Sequence, residues 1–445
     1  MKSLGSTRRR FLQAAALGSV GVPMFARHLL SAPPSNKIRH ASFGAAGMAG
    51  ADMVSIGGHQ NVQLVCVAEV DQSRLGMLKQ HFGNQKVAVY QDWRRMLDKE
   101  GKHLDSVNVG TPDHMHAPMA MSAMQLGLHA YVQKPLAHDI YEVRRLTEVA
   151  REKKLVTQMG IQIHSAAYYR IAVKLVHQGA IGKVVESHSW SSKKWGDKGP
   201  PPNRQDPIPP GLDWDLWIGV CQPRPYIEGY YHPGNWRKRL DFGTGTFGDM
   251  GCHIFDPVFE ALGLQAPLTV RSEGPAPDQW NWAINAVIHY EFPGSQYTAD
   301  KTVKVHWYDG DQRPPKEVQE LLEGKPLPDQ GSIIIGTKGV LLIPHVAVPV
   351  LFPQKEFKDY KLPRDPGTSH TNQFVEAILG KTQTSAPFDY SGPLTEAVLL
   401  GGVATRFPKT TLEWDSANLR FKNSPEATAL LRREYRKGWE VPGLS

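Results

Sequence analysis

Three side chains in this 445-residue sequence have the types and spacing for proton transfer. Lys134 lies in Tyr131-Val132-Gln133-Lys134-Pro135-Leu136, where an apolar run ends at a proline. Such a run reads as the carboxyl end of a buried parallel strand, where open α/β sheets present their ligands. An ammonium placed there can hold a reacting oxygen and stabilise developing negative charge. Asp249 and His253 stand at i and i+4 in Gly248-Asp249-Met250-Gly251-Cys252-His253, so they share one face of a predicted helix. A neutral imidazole held by a carboxylate is a general base, and Asp256 is placed to orient it. An Asp249, His253, Asp256 metal site would need further ligands that the sequence does not supply, so no metal is expected.

These side chains need elements to carry them. Ile38–Phe43 reads as a strand entering Gly44-Ala45-Ala46-Gly47-Met48-Ala49-Gly50, a turn that lets a phosphate approach backbone amides at a helix N-terminus. Gly44, Ala46, Gly47, Met48 and Ala49 are the expected contacts there. The next apolar run, Val62–Val70, carries Glu69 near its end, where a ribose-binding carboxylate is expected. Asp71 is placed to share that role. A carboxylate there repels a 2′-phosphate, which favours NAD over NADP. Strand and helix patterns then alternate through Val87–Tyr90, Trp93–Leu97, Ser106–Val109, Pro118–Leu126, His129–Val132 and Ile140–Ala150, which predicts a doubly wound parallel sheet. The turn Gly110–His116 follows the fourth strand and brings Thr111 and Pro112 to the cofactor side. His116 either touches the cofactor or begins the next helix.

Thr111-Pro112-Asp113-His114-Met115-His116 followed by Gln133-Lys134-Pro135-Leu136 resembles the Gfo/Idh/MocA oxidoreductase family. The family's usual Glu-Lys-Pro is Gln133-Lys134-Pro135 here, which keeps the shape and loses a charge. The resemblance implies an α/β N-terminal Rossmann domain over residues 37–158 that binds NAD(H), with Gln133 and Lys134 among its cofactor contacts. It implies a substrate domain over 159–445, with Asp249 and His253 as the catalytic pair. Strand-like runs at 268–272, 283–292, 303–307 and 332–343, with few helices between them, make that part α+β with a large, mainly antiparallel sheet. Residues 193–243, rich in Pro, Gly, Trp and Tyr, read as a functional loop. Gln162, Trp236 and Arg237 are candidate substrate contacts. The tail is expected to fold as helices over 389–407 and 426–439, bracketing Thr411–Trp414, closing the second domain and touching the first.

The implied reaction is hydride transfer between a sugar, cyclitol or glycoside ring hydroxyl and tightly bound NAD(H). A second reading is a glycosidase that oxidises a ring hydroxyl, eliminates the aglycone, adds water and reduces again. A third is a nucleotide-dependent binding protein without chemistry. The expected partner is a small carbohydrate or glycoside, and a homo-oligomer is expected.

Composition excludes other classes. Apolar residues at 41% and charged residues at 21% are globular values. The net charge of +8 owes much to Lys2, Arg8, Arg9, Arg10 and Arg27 at the start of the chain. No basic stripe interleaved with aromatics follows, so nucleic acid is not expected as a partner. Thr7-Arg8-Arg9-Arg10-Phe11-Leu12 before the run from Ala14 to Ala26 reads as a twin-arginine export signal, with residues 1–36 as signal and linker. That run is too short for stable membrane insertion. The expectation is export to the periplasm by the twin-arginine machinery, already folded around its cofactor. Cys66, Cys221 and Cys252 have no metal-ligand spacing and no disulfide framework, and Cys66 reads as core.

Overall fold

Short apolar strands separated by helices can bury both faces when the helices cover a parallel sheet on each side. The first part of the chain does this. Strands β1 (Ile38–Phe43), β2 (Val62–Ala68), β3 (Ala88–Tyr90), β4 (Ser106–Val109), β5 (His129–Val132) and β6 (Thr157–Met159) pair in parallel in the order β3-β2-β1-β4-β5-β6. Between them run α1 (Gly47–Gly57), α2 (Gly76–Phe82), α3 (Trp93–Glu100), α4 (His116–Gln125) and α5 (Ile140–Glu152). The predicted alternation is observed. The order reverses between β1 and β4, and the crevice outside their carboxyl ends is where such sheets bind ligands. The computed structural model describes residues 37–445, so the twin-arginine segment lies outside the described residues.

The outer edge of β6 is covered by a later part of the chain. The Met159 amide donates to the Ala386 carbonyl at 2.9 Å, and the Thr384 hydroxyl donates to the Thr157 carbonyl at 2.8 Å.

The second sheet has nine strands: β7 (Val184–Ser191), β8 (Thr269–Gly274), β9 (Val287–Pro293), β10 (Thr302–Asp309), β11 (Gln330–Gly336), β12 (Val340–Pro344), β13 (Val350–Phe352), β14 (Thr411–Asp415) and β15 (Arg420–Phe421). Their order is β13-β12-β11-β7-β10-β9-β8-β14-β15, antiparallel at every pair except β7 with β10. The remaining helices are α6 (Ala167–His177), α7 (Trp214–Ile218), α8 (Gly245–Ile254), α9 (Asp256–Leu262), α10 (Lys316–Glu320), α11 (His370–Ile378), α12 (Phe388–Ala404) and α13 (Pro425–Ala429). Helix α12 is apolar and buried on nearly every side and packs against both α5 and α8. It ties the parallel sheet to the helix that carries Asp249 and His253. Residues 38–445 form one compact unit around a continuous core.

Some expectations change. The run 332–343 is a hairpin, β11 and β12, rather than one strand, and neither β13 nor α11 is foreseen. The 426–439 segment is not one helix. It is helical only through α13, and the tail beyond is held by side chains: Tyr435 Oη donates to Glu142 at 2.6 Å, and Arg94 lies 4.2 Å over the Trp439 ring. Contact with the first part of the chain is made as expected. The three cysteines are free and buried. Among the described residues no helix is long and apolar enough to cross a membrane.

Candidate active site

Helix α1 begins without help from any side chain. Ala46 takes the N-cap position with an extended backbone and offers no capping oxygen. The first amides of α1 are therefore available to an anion. Gly44, with φ +94°, lies so close to α1 that a Cβ there would stand 2.7 Å from the Ala49 Cβ. Gly47, with φ +56°, faces open space; Gly47 and Met48 are exposed, while Ala49 is buried against Gly110. Glu69 follows β2 and accepts from the Ala45 amide at 2.9 Å and the Asp71 amide at 3.0 Å. Asp71 takes side-chain hydrogen bonds from Ser73 and His232, whereas Glu69 meets only the two backbone amides. Bare helix amides, an open glycine cradle and an acid at the end of β2 fit a dinucleotide.

Thr111 and Pro112 lie half-buried at the exit of β4. His116 begins α4, and its ring is buried. Nδ1 faces the Pro135 carbonyl at 2.8 Å and Nε2 the Thr111 carbonyl at 2.7 Å. The imidazole is thus a strut between the two loops that border the crevice.

The chain just past β5 carries Lys134 to α8. Its Nζ donates to Asp249 Oδ1 and to the Asp249 carbonyl, each at 2.8 Å. Trp195 Nε1 donates to Asp249 Oδ2 at 2.8 Å, and Arg237 Nε lies 3.3 Å from Oδ1. Burial alone would push the Asp249 pKa up, but the Lys134 and Arg237 charges outweigh it and hold the carboxyl well below the usual range. One helical turn on, His253 Nδ1 has no hydrogen-bond partner. Burial, then the Lys134 ammonium, then His345 keep the His253 imidazole neutral, with its pKa well below the ordinary value. The rings of His253 and His345 are 5.8 Å apart. His253 also borders a small pocket lined by Tyr168, Tyr169, Ile343 and His345, a lining that does not include Lys134 or Asp249.

Asp256 does not orient His253. It begins α9, and its carboxylate takes His164 Nδ1 at 2.9 Å and the Tyr390 hydroxyl. Gln133 turns inward and donates to Asp52 Oδ2 at 2.7 Å. Gln162 faces the same carboxylate, 3.5 Å from Oδ1, rather than the cleft. Burial pushes Asp52 up to about 7. Trp236 is packed in the core with its Nε1 on the Pro233 carbonyl at 3.2 Å. Of the three candidate substrate contacts, only Arg237 joins the Asp249 cluster, its guanidinium 4.3 Å over Trp236 and 5.5 Å from Trp195. Trp195, His345 and Asp52 are the residues that sequence reasoning misses. His345 does carry a signal, a histidine at the exit of an apolar strand, and Trp195 sits in the tryptophan-rich loop. Asp52, in the middle of an apolar helix, carries none.

Residues 38–161 match the model of an oxidoreductase family with an NAD-binding Rossmann fold, and residues 171–441 match that family's C-terminal α/β domain. Levoglucosan dehydrogenase of Pseudarthrobacter phenanthrenivorans is 24% identical over 165 residues, 37% of this chain and 34% of that protein. The NAD(+)-dependent scyllo-inositol 2-dehydrogenase of Bacillus subtilis is 26% identical over 32% of this chain and 39% of its own. An alpha-N-acetylgalactosaminidase of Shewanella oneidensis is 26% identical over 29% of each. The chain thus matches about a third of the length of these relatives. Among solved structures, the WlbA dehydrogenase of Bordetella pertussis, in complex with NADH and UDP-GlcNAcA, superposes with a TM-score of 0.59 at 16% identity, over 85% of this chain and 99% of that one. An aldose-aldose oxidoreductase of Caulobacter crescentus, complexed with glycerol, gives 0.57 at 14% identity, over 85% and 100%. At these identities the likeness is one of fold.

Proposed function

Because the chain belongs to the Gfo/Idh/MocA family of NAD-dependent oxidoreductases, we propose that it acts on a ring hydroxyl of a sugar, cyclitol or glycoside. The observation that carries this reading is the 2.8 Å contact between Lys134, just past a parallel strand, and Asp249 on α8, one turn from an unpartnered His253 nitrogen. The turn from Gly44 to Ala49 and Glu69 would hold the pyrophosphate and ribose of NAD. Bound there, NAD supplies an acceptor for the hydride of the carbinol carbon.

The chain's own residues manage the proton. The Lys134 ammonium has three donors; two go to Asp249, which leaves one for the substrate oxygen. His253 is neutral and takes the hydroxyl proton at a ring nitrogen. An imidazole held far below neutrality gives little driving force by itself. Lys134 makes up the difference by stabilising the developing alkoxide, which lowers the proton affinity of the hydroxyl. Arg237 and Trp195 keep Asp249 charged and fixed, so the lysine cannot swing away.

A redox-neutral glycosidase is the second reading, favoured by the match to the Shewanella enzyme. Incubation with a panel of sugars, cyclitols and glycosides, followed by nicotinamide absorbance and product masses, separates the two. Oxidation of a ring hydroxyl with one NADH formed per turnover supports the first. Release of an aglycone with no net NADH assigns the second, and no turnover of any member overturns both. Export through the twin-arginine pathway belongs to the same proposal, supported by Arg8-Arg9 before Phe11-Leu12. Unchanged periplasmic appearance of the Arg8→Lys/Arg9→Lys variant would overturn it.

A further inference from the structure

Side chains alternate between the faces of a strand. On β7, Ser189 faces its partner Ser332, whose hydroxyl bonds the Ile254 carbonyl at the end of α8. That is the face carrying the catalytic helix. Glu186 and His188 therefore point from the opposite face. There the strand register sets three histidines in one rung: His306 of β10 is paired with His188 of β7 on one side and with His289 of β9 on the other.

We propose that Glu186, His188 and His306 form a binding site for one Zn²⁺-class divalent transition-metal ion, on the face of the sheet away from the helix that carries Asp249 and His253. One ligand atom from each lies within 4.8 Å of the others. His188 Nε2 is 3.5 Å from Glu186 Oε1, and His306 Nε2 is 3.7 Å from Oε2. A tetrahedral zinc with arms of about 2.1 Å needs ligand spacings of about 3.4 Å. The outer ring nitrogens are held from behind, as metal-bound histidines require. His188 Nδ1 lies 3.1 Å from the Tyr308 hydroxyl, and His306 Nδ1 lies 2.6 Å from His289 Nδ1. A tautomer with both Nδ1 atoms protonated satisfies these contacts and leaves both Nε2 lone pairs aimed at the Glu186 carboxylate.

A second observation points the same way. The His188 side chain is 4% exposed, yet its Nε2 has no hydrogen-bond partner. Buried polar atoms are rarely left so, and a cation between it and Glu186 would satisfy it. Among the described residues the ion-pair contacts of Glu186 within 4 Å are with these two imidazoles. Three protein ligands leave a fourth position for water. The ion would join β7 to β10, the one parallel pair in the sheet.

The test uses the full chain, stripped with chelator and titrated with zinc sulfate by calorimetry. One site per chain is expected, together with a rise in Tm, because the ion binds the folded state. Cobalt(II) in place of zinc should give the visible absorption of a tetrahedral site. His306→Gln, on a ligand whose side chain is 13% exposed, should weaken binding at least about tenfold, and His289→Phe, behind it, by about tenfold. Both variants should keep the wild-type melting temperature in chelator and the wild-type turnover, since the site faces away from Lys134 and His253. Absence of a stoichiometric zinc heat, or equal zinc affinity in folded His306→Gln, would overturn the site whatever the substrate of the cleft proves to be.

Discussion

Two buried carboxylates flank the Gln133-Lys134 pair, and they behave oppositely. Asp52, on α1, meets neutral amides from Gln133 and Gln162, and burial pushes its pKa up to about 7. Asp249, on α8, meets an ammonium, a guanidinium and an indole N–H, and stays ionised in spite of burial. The solvent exclusion is similar, so the partner decides: a cation within hydrogen-bond reach outweighs desolvation, and a neutral amide does not. One residue step along the chain separates a proton store from a fixed negative charge. The exchange of glutamate for Gln133 in the family's usual Glu-Lys-Pro belongs to the same logic, because a glutamate there would face Asp52.

The most severe way to break the contrast is to remove the cation. Lys134→Met takes the ammonium from both Asp249 and the substrate oxygen, and His253→Asn removes the proton acceptor. Each should lower turnover by roughly 10²–10⁴-fold with the fold intact, read from steady-state kinetics and circular dichroism. The double variant should lose far less than the product of the two, since both act on one proton transfer. Near-normal turnover in either folded variant would remove that residue from the mechanism.

The second test converts the neutral partner into a charged one. Gln133→Glu sets two carboxyls against each other and should destabilise the protein at pH 8 by about 3 kcal/mol. Adding Asp52→Asn should restore most of that loss, because one acid and one amide are again paired. A loss that persists in the double variant would show that packing, not charge, requires the glutamine.

The smallest effect sharpens the Asp52 side alone. Its folded pKa of about 7 lies above the ordinary 3.8, so the folded state holds a proton that the unfolded chain releases. That contribution to stability is complete below about pH 3.8 and is lost as pH rises through 7. Asp52→Asn cannot lose it. The variant should match the wild type near pH 4 and exceed it at pH 8 by a few kcal/mol, as denaturant melts at the two values would show. A difference independent of pH would contradict the raised pKa.

The contrast also marks what the sequence discloses. The βα alternation from Ile38 to Ala150 is legible because buried parallel strands and amphipathic helices have different periods. The Asp249 and His253 spacing is legible because one helix carries both. The partner of Asp256 is not: His164 and Tyr390 come from distant segments, and the i+3 spacing from His253 suggests a contact that the start of α9 turns away. The tail misleads because Arg433-Glu434-Tyr435-Arg436 has helix-favouring composition, whereas its side chains bond α5 and α7 instead. The Glu186, His188, His306 cluster has no linear signature, because strand register assembles it.

The segment that covers β6 has a consequence for synthesis. The outward Thr157 carbonyl and Met159 amide wait for residues 384–386, more than two hundred positions later. At about 5–20 residues per second, the nascent first sheet displays an open edge for some ten seconds or longer. An unpaired edge is a template for another chain. Aggregation of this protein is therefore a hazard of the ribosome-bound intermediate, set by translation speed and chaperone supply, and closed once the later strap has docked.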